Sequence, residues 1–281
     1  NAPFIYRFQP EDKNTGLTAS QIDSTISILK KRLSSAGYSS STVVYSHHDR
    51  QFMVEREREL DDEFVRKWLI KPCELFFYET YSPAEMMDIL FTGENAESAK
   101  NDKERLLELL SFPREFQTTR MPANIGTLKG SDLAAFNEVR KKLDPYLPAD
   151  CRFLYSVKMT PSAHDPSLVS AEVYAIRDNK WKMPLNDIVL SAKGVTSGKY
   201  PAVSVELNEI GKRMFSQLTE KNVGKPIAIV IDGRVFSAPF VNAPIDGGKL
   251  EIAGIFSKEE ATQFSNMLTA GLLRLKLVQV R

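Results

Sequence analysis

One aspartate of this sequence, Asp232, has the setting of a metal-binding or catalytic carboxylate. It directly follows the apolar run Ile227 to Ile231, and some phosphoryl-transfer enzymes place a metal-binding Asp at the end of such a strand. The next residue, Gly233, and the alternating apolar residues after it favour a two-residue hairpin turn, where Asp tolerates the left-handed backbone. We predict that Asp232 and Gly233 form a turn, with a catalytic carboxylate as the alternative.

Other groups that could bind a metal ion or a phosphate are poorly placed to do so. The neighbours His47-His48 would point to opposite faces of a strand, and His164 lies among prolines in a predicted loop. The pair Gly224-Lys225 is followed by Pro226, which has no N–H to offer a phosphate. The sequence also lacks the serine-hydrolase and zinc-protease signatures. We therefore expect no catalytic residue, no metal site and no cofactor.

Composition and charge exclude several classes of protein. Hydrophobic residues make up 42% of the 281 positions and charged residues 26%, which is ordinary for a folded chain of roughly two domains. Lys and Arg total 37 against 36 Asp and Glu, so no basic excess predicts nucleic-acid binding. The longest aliphatic run is far shorter than the roughly 18 residues that cross a bilayer, and any membrane attachment is expected outside this chain. Cys73 and Cys151 are expected to be separate thiols.

Residues 3–80 show the element order strand, helix, strand, strand, helix, strand. The first helix begins at a capping box of Thr18 and Gln21 and ends at Gly37. The other predicted elements are strands at 4–8, 42–45, 51–55 and 73–79, and a helix that begins at Asp61 or Asp62. This order is that of the ferredoxin-like βαββαβ motif.

The remainder of the chain mixes helices and strands, so the predicted fold class is α+β. Predicted helices begin at Ser82, Ser131, Asn208 and Ser257, and predicted strands include 152–158, 169–176, 202–207 and 250–255. At the C-terminus Leu273, Leu275 and Leu277 alternate with basic residues, which is typical of a strand with one buried face.

Aromatic residues lie on or beside the predicted strands. They are Phe76, Phe77, Tyr78, Tyr81, Phe236, Phe240 and Phe256. Packing in a core is one interpretation, and contact of exposed rings with an extended chain is the other.

A series of spaced motifs runs from Leu207 to Gly271. The main ones are Leu207-Asn208-x-x-Gly211, Asn222-x-Gly224, Asp232-Gly233-x-Val235-x-Ser237-Ala238-Pro239, Ile245-x-Gly247-Gly248 and Leu268-x-x-Gly271. In order and spacing the series resembles the head of the first large periplasmic domain of SecD and fused SecDF protein-export membrane proteins. A weaker motif, Arg32-Leu33-x-x-x-Gly37, is similar to the first helix of that family's base. The family's six membrane helices have no counterpart in these residues, and their functional residues are not carried over.

The resemblance implies a two-part domain. Residues 3–80 would form a ferredoxin-like base, residues 81–271 an inserted head with the family signature at 202–271, and residues 272–281 a strand that returns to the base. The candidate hinge residues between head and base are Tyr81, Ser82, Gly271 and Leu272.

The resemblance also implies a non-enzymatic role in protein export at the periplasmic face of the inner membrane. The expected partners are unfolded secretory polypeptide and components of the Sec translocon, with no nucleic acid and no small-molecule substrate. We select Asp232, Gly233, Phe236 and Phe240 as candidate polypeptide contacts, because a hairpin edge and exposed rings can hold an extended chain of any sequence. The alternatives are a stand-alone cell-envelope binding protein without an export role and, more remotely, an enzyme.

Overall fold

The computed structural model describes residues 3–92, 97–111, 122–156, 160–161, 169–178, 187–253 and 257–280. The chain divides into two compact units. Unit 1 consists of Asn1–Glu74, Pro184–Ser216 and Ile245–Arg281, and unit 2 of Leu75–Met183 and Gln217–Pro244. Within the described ranges, none of the helices is both long and apolar enough to cross a bilayer.

Helices and strands are interspersed along the chain, in agreement with the predicted α+β class. The strands are β1 (Phe4–Pro10), β2 (Thr42–Ser46), β3 (Gln51–Arg56), β4 (Leu75–Thr80), β5 (Leu110–Ser111), β6 (Gly126–Lys129), β7 (Cys151–Tyr155), β8 (Thr160–Pro161), β9 (Val169–Arg177), β10 (Val189–Ser197), β11 (Tyr200–Leu207), β12 (Ile227–Ile231), β13 (Arg234–Ser237), β14 (Lys249–Ala253) and β15 (Leu277–Val280). The helices are α1 (Ala19–Ser35), α2 (Asp62–Phe64), α3 (Pro83–Phe91), α4 (Lys100–Leu109), α5 (Leu133–Leu143), α6 (Glu209–Lys221) and α7 (Lys258–Ala270). A π-helical turn, Val65–Leu69, continues α2, and 3₁₀ turns cover Gly130–Asp132 and Asp144–Tyr146.

Unit 1 contains a four-stranded antiparallel sheet with the order β15-β1-β3-β2. Helix α1 begins at the predicted capping box, in which the Gln21 amide donates to Thr18 Oγ1 at 3.2 Å and the Thr18 amide to Gln21 Oε1 at 2.9 Å. Phe8, Leu29 and Phe52 are fully buried in the core that α1 shares with this sheet. The amphipathic pattern of the sequence therefore places both elements correctly.

The predicted ferredoxin-like unit at residues 3–80 is not confirmed, because its last strand belongs to another sheet. Strand β4 pairs with β12 and β9 in unit 2, and the edge position beside β1 is taken by β15, with Arg7 opposite Val280. The side chains of β4 explain this placement. Leu75 and Phe77 are buried on one face, while Phe76 and Tyr78 on the other face are half-buried. Apolar side chains on both faces are typical of a strand in the interior of a sheet that is covered on both faces.

A buried arginine ties separate segments of unit 1 together. Arg32 is 2% exposed, and its guanidinium donates to the carbonyl oxygens of Leu69 at 3.0 Å, Pro72 at 3.3 Å and Gly271 at 3.2 Å. Further bonds reach the carbonyls of Trp68 and Lys71. These carbonyls follow the π-helical turn and α7, and helix C-termini carry partial negative charge. These carbonyl groups stabilise the buried cation.

A second sheet of unit 1, with the order β10-β11-β14, is covered on one face by α7. The helix approaches β10 closely at Gly194, where an added Cβ would lie 3.3 Å from the backbone nitrogen of Thr262. At Gly211 in α6 an added Cβ would lie 2.8 Å from the Cβ of Ile188. Gly211 is therefore a position of close packing between α6 and Ile188.

Unit 2 is built on an antiparallel sheet with the order β13-β12-β4-β9-β6-β5. Strands β7 and β8 join this sheet by pairing with β9. Helices α3, α4 and α5 supply Met86, Leu106 and Phe136 to a core with Val173 of β9. A smaller cluster gathers Tyr174, Val230 and other side chains of the same sheet. The strands predicted near 152–158 and 169–176 thus exist as β7 and β9.

The boundary between the units differs from the predicted boundary between base and head. Residues of the expected head, including β10, β11, β14 and α7, belong to unit 1. The reason is that α7 packs against α1 and the π-helical turn, with the Asn266 side chain donating to the Ser35 carbonyl at 3.4 Å. His164 and Phe256, which the sequence singled out, lie outside the described residues.

Candidate functional site

The residues Asp232 and Gly233 form the tip of a β-hairpin. Their φ angles are 48° and 76°, both left-handed, as a type I′ turn requires. Strands β12 and β13 flank them, with Ile231 opposite Arg234. The predicted turn is confirmed, and Asp232 is explained by its tolerance of this backbone conformation.

Strand β12 lies inside the sheet, whereas β13 is at its edge. Ile227, Ala228, Ile229 and Val230 are all buried. Strand β4 pairs with one edge of β12 and β13 with the other. The register shifts between Ile229 and Val230, so Phe236 is the extra residue of a bulge on β13. Val235 also forms an isolated parallel bridge with Ser156, and the outer edge of β13 is therefore partly occupied.

After β13 the chain folds back along the segment that enters β12. The amide of Ile227 donates to the Pro239 carbonyl at 3.0 Å, the amide of Val241 to the Lys225 carbonyl at 3.0 Å, and the amide of Gly224 to the Val241 carbonyl at 2.8 Å. These bonds place Phe240 opposite Pro226, at the end of the hairpin away from its turn.

The four predicted contact residues do not form one patch. Asp232 and Gly233 are exposed at the turn. Phe240 lies opposite Pro226 at the other end of β12, six residues and about 20 Å away at 3.4 Å per residue. Phe236 is half-buried between them. Of the four, Phe240 lines the cavity described next.

That cavity has a volume of about 410 Å³ and lies wholly in unit 2. Its lining consists of Glu79, Thr80, Ser82, Glu85, Pro122, Arg177, Asn222, Gly224, Lys225, Pro226 and Phe240. Acidic, basic, amide and hydroxyl groups are thus mixed with two prolines and one aromatic ring.

A buried carboxylate forms one side of the cavity. Glu79 is 6% exposed, and its Oε1 accepts a hydrogen bond from Asn222 Nδ2 at 3.0 Å and lies 3.2 Å from Lys221 Nζ. The second hydrogen of Asn222 Nδ2 bonds to the Leu218 carbonyl at 2.8 Å. Because an unpaired buried carboxylate is costly, these partners stabilise Glu79 and link the end of α6 to β4.

Arg177 forms another part of the lining. Its guanidinium lies 3.6 Å from the centroid of the Tyr81 ring, and its Nη2 is 2.7 Å from Glu85 Oε1. The Tyr81 hydroxyl donates to Asp150 Oδ1 at 2.7 Å. Burial raises the pKa of Tyr81 above its usual range, and the bond to Asp150 acts in the same direction. The hydroxyl therefore stays protonated and serves as a donor.

The titratable groups near the cavity do not form a nucleophile with its base. Burial, followed by the charge of Asp150, raises the pKa of the Cys151 thiol to about 12, so the thiol is neutral at physiological pH and weakly nucleophilic. Among the described residues, no three His, Cys, Asp or Glu side chains are grouped to hold a metal ion. What the lining offers is hydrogen-bond donors and acceptors, which suit the amide groups of an extended chain.

The predicted hinge residues are anchored inside the units. Tyr81 is 2% exposed and its amide donates to the Ala175 carbonyl at 2.8 Å, and Ser82 forms the capping box of α3 with Glu85. In unit 1 Leu272 is buried and the Gly271 carbonyl accepts from Arg32. Among the described residues, the chain passes between the units at Glu74/Leu75, within α6 at Ser216/Gln217, and at Pro244/Ile245.

Sequence reasoning missed Glu79, Asn222 and Arg177. Glu79 was predicted only as the end of the strand 73–79, and Asn222 was named only in the motif Asn222-x-Gly224. The available signal was a carboxylate at an alternating apolar position of β4, where a buried partner is required. Which amide would meet it depends on the pairing of β4 with β12, which a strand pattern does not specify.

The family model for the SecDF P1 head subdomain matches residues 179–275, which include the hairpin and Phe240. Among curated proteins, the protein translocase subunit SecD of Leptotrichia buccalis is 40% identical over 101 residues, covering 34% of this chain and 25% of that protein. SecD of Desulfurispirillum indicum is 30% identical over 174 residues, covering 61% of this chain and 31% of that protein. The matches thus span about a quarter to a third of these relatives.

Two solved structures share the fold. One, of "a membrane component SecDF that enhances protein export", has a TM-score of 0.56 and 18% identity, covering 99% of this chain and 98% of that chain. The other, SecDF in a super-membrane-facing form, has a TM-score of 0.57 and 19% identity, covering 99% of this chain and 30% of that chain. The chain is therefore similar in sequence to SecD, and its residues 179–275 match the family model of the SecDF P1 head subdomain.

Proposed function

We propose that this chain is the extracytoplasmic domain of a SecD-type or SecDF-type membrane protein and contacts unfolded polypeptide during export. The match to the P1 head subdomain supports this proposal. Its partners are then the translocating polypeptide and components of the Sec translocon, and its location is the periplasmic face of the inner membrane, with anchoring segments outside the chain. The proposed division is a base of residues 3–80 with the strand 272–281 and a head within 81–271, with two changes. Strand β4 pairs with strands of unit 2, and the β10-β11-β14 sheet with α7 belongs to unit 1.

The single observation that carries the proposal is the mixed lining of the unit 2 cavity. An extended polypeptide presents amide donors and acceptors at every residue and side chains of every kind. Lys225 and Arg177 supply charged donors for the carbonyl groups of such a chain, and Glu85 supplies an acceptor for its amides. Phe240 and Pro226 supply apolar contact. Weak and sequence-tolerant binding suits a chain that must be released.

We further propose that head and base move relative to each other during the export cycle. Each unit has its own hydrophobic core, so each can remain intact during such a motion. The backbone angles that change would lie at Glu74/Leu75 and Pro244/Ile245, where the chain passes between the units outside a helix, because few-residue connections are the usual hinges.

Polypeptide binding is tested by replacing the aromatic ring that lines the cavity. We expect Phe240→Ala to weaken binding of a fluorescent, reduced and carboxymethylated protein about 3-fold to 10-fold, since ring burial is worth about 1 kcal/mol or more at such contacts. Fluorescence anisotropy with the purified chain measures this. Val44→Ala removes an exposed apolar side chain of unit 1 and is the matched control. Equal affinity of both variants and the unmodified chain would contradict the role of the cavity.

A further inference from the structure

Strand β10 is the edge of the β10-β11-β14 sheet in unit 1 and the longest edge strand among the described residues. It pairs with β11 on one side. In the described part of the chain, no backbone hydrogen bond joins its other side to a further strand. Such an edge is a template for another extended backbone.

The turn that follows β10 determines which amides point away from β11. Ser197 and Tyr200 flank the two-residue turn Gly198-Lys199, and Gly198 has a φ of 61°. The pair that closes a two-residue hairpin is hydrogen-bonded, and bonded and non-bonded pairs alternate along the ladder. The N–H and C=O groups of Gly194 and Thr196 therefore point outward.

The open part of the edge is short and has a defined end. The outward carbonyl of Ala192 accepts a hydrogen bond from Thr269 Oγ1 of α7 at 3.3 Å, so the stretch available for pairing begins beyond it. From Lys193 to Ser197 the side chains of Lys193 and Thr196 are exposed. A partner strand of about five residues fits this length.

The charges on β10 indicate what kind of strand it accepts. Its nine residues carry one charged side chain, Lys193, whereas the opposite edge strand, β14, carries Lys249 and Glu251 within five residues. Charged residues on an edge discourage pairing with other chains. The charges on β14 thus discourage another chain from pairing there, whereas β10 lacks this protection. A strand that pairs with β10 would be bound through its backbone and not selected by its charge.

We propose that the outer edge of β10 binds an extended segment of polypeptide as an added strand, through the backbone groups of Gly194 and Thr196. This inference rests on the proposed function, because it takes the translocating chain as the occupant. It adds a second contact, in unit 1, that uses hydrogen bonds of the main chain rather than a cavity. A strand so bound needs no particular sequence.

The test removes one outward amide and keeps the side-chain surface. In Thr196→Pro the outward N–H is lost, and proline is tolerated at an edge, while Thr196→Ala keeps the N–H. The probe is a fluorescent 14-residue peptide of Val, Thr and Ser with Lys at each end. We expect the Pro variant to bind about tenfold more weakly and the Ala variant within twofold of the unmodified chain. Equal binding by the Pro variant would overturn the proposal.

A second measurement covers the case in which Thr196→Pro fails to fold. Hydrogen–deuterium exchange of the unmodified chain should show the amides of Gly194 and Thr196 protected by the peptide, and unprotected by the same peptide N-methylated at alternate residues. Absence of protection would overturn the proposal. Without peptide, the amides of Gly194 and Thr196 could instead become protected as the concentration of the chain rises, with a dimer seen by sedimentation. That result would assign the edge to a second copy of the chain and would also overturn the proposal.

The two proposed contacts, the unit 2 cavity and the outer edge of β10, can be contradicted independently. Loss of binding in Thr196→Pro with normal binding in Phe240→Ala supports the β10 edge and contradicts the cavity. Normal binding in Thr196→Pro with weakened binding in Phe240→Ala contradicts the β10 edge and supports the cavity. If the unmodified chain binds neither unfolded protein nor peptide, both the edge and the proposed function are contradicted.

Discussion

The side chains that line the unit 2 cavity form a network in which each buried polar group has a partner. Glu79 is the clearest case, because Asn222 satisfies its carboxylate and at the same time bonds to the last turn of α6. Lys221 adds an ion pair from an exposed side chain, which is screened by solvent and contributes little. The amide of Asn222 is therefore the more important partner for stability.

Replacement of Asn222 by Ala should destabilise the chain by about 1–3 kcal/mol, because the buried carboxylate of Glu79 and the Leu218 carbonyl each lose a donor. Lys221→Ala is the control and should cost less than about 1 kcal/mol. Urea unfolding followed by circular dichroism measures both. A cost for Lys221→Ala that equals or exceeds that of Asn222→Ala would show that the ion pair dominates.

At the scale of the elements, local signals in the sequence predicted ends and turns well. The capping boxes at Thr18, Ser82 and Ser257 each begin a helix, and Asp232 begins a type I′ turn, because these signals depend on residues only a few positions apart. The partner of β4 was not predictable in the same way. Alternation of side chains indicates a strand and its two faces but not the strand with which it pairs. Strand β4 was predicted to complete the sheet of residues 3–80, but it pairs with β12 and β9 in the sheet of unit 2.

Close packing around α6 gives a prediction in which two effects oppose each other. Because Ala has a higher helix propensity than Gly, Gly211→Ala should stabilise α6 by about 1 kcal/mol. The new Cβ, however, would lie 2.8 Å from the Cβ of Ile188. Overpacking of this kind costs about 1–3 kcal/mol, so we expect net destabilisation or no gain, measured as a lowered midpoint of thermal unfolding.

The matched control for this change is Gly16→Ala, since no atom lies within 4 Å of the position where its Cβ would stand. It should leave the midpoint unchanged or raise it slightly. A clear increase in stability for Gly211→Ala would mean that Ile188 can move aside at little cost.

At the scale of the whole molecule, the chain has two compact units that are each assembled from segments distant in the sequence. Unit 1 needs both ends of the chain, since β15 pairs with β1 and the Arg32 guanidinium joins residues 69–72 to Gly271. The resemblance to SecD and SecDF predicted the return of the C-terminal strand. It did not predict where the units divide, because that depends on the packing of α7 against α1.

The central claim is that this chain contacts polypeptide during export, and photo-crosslinking tests it most directly. A photoreactive phenylalanine analogue is placed at position 240, or at position 44 as control, in the full-length membrane protein that contains the chain. Membrane vesicles holding an arrested export intermediate are then irradiated. The account predicts an adduct with the arrested polypeptide from position 240 that disappears when the polypeptide is released. Adducts from position 240 that are no more abundant than those from position 44 would contradict it.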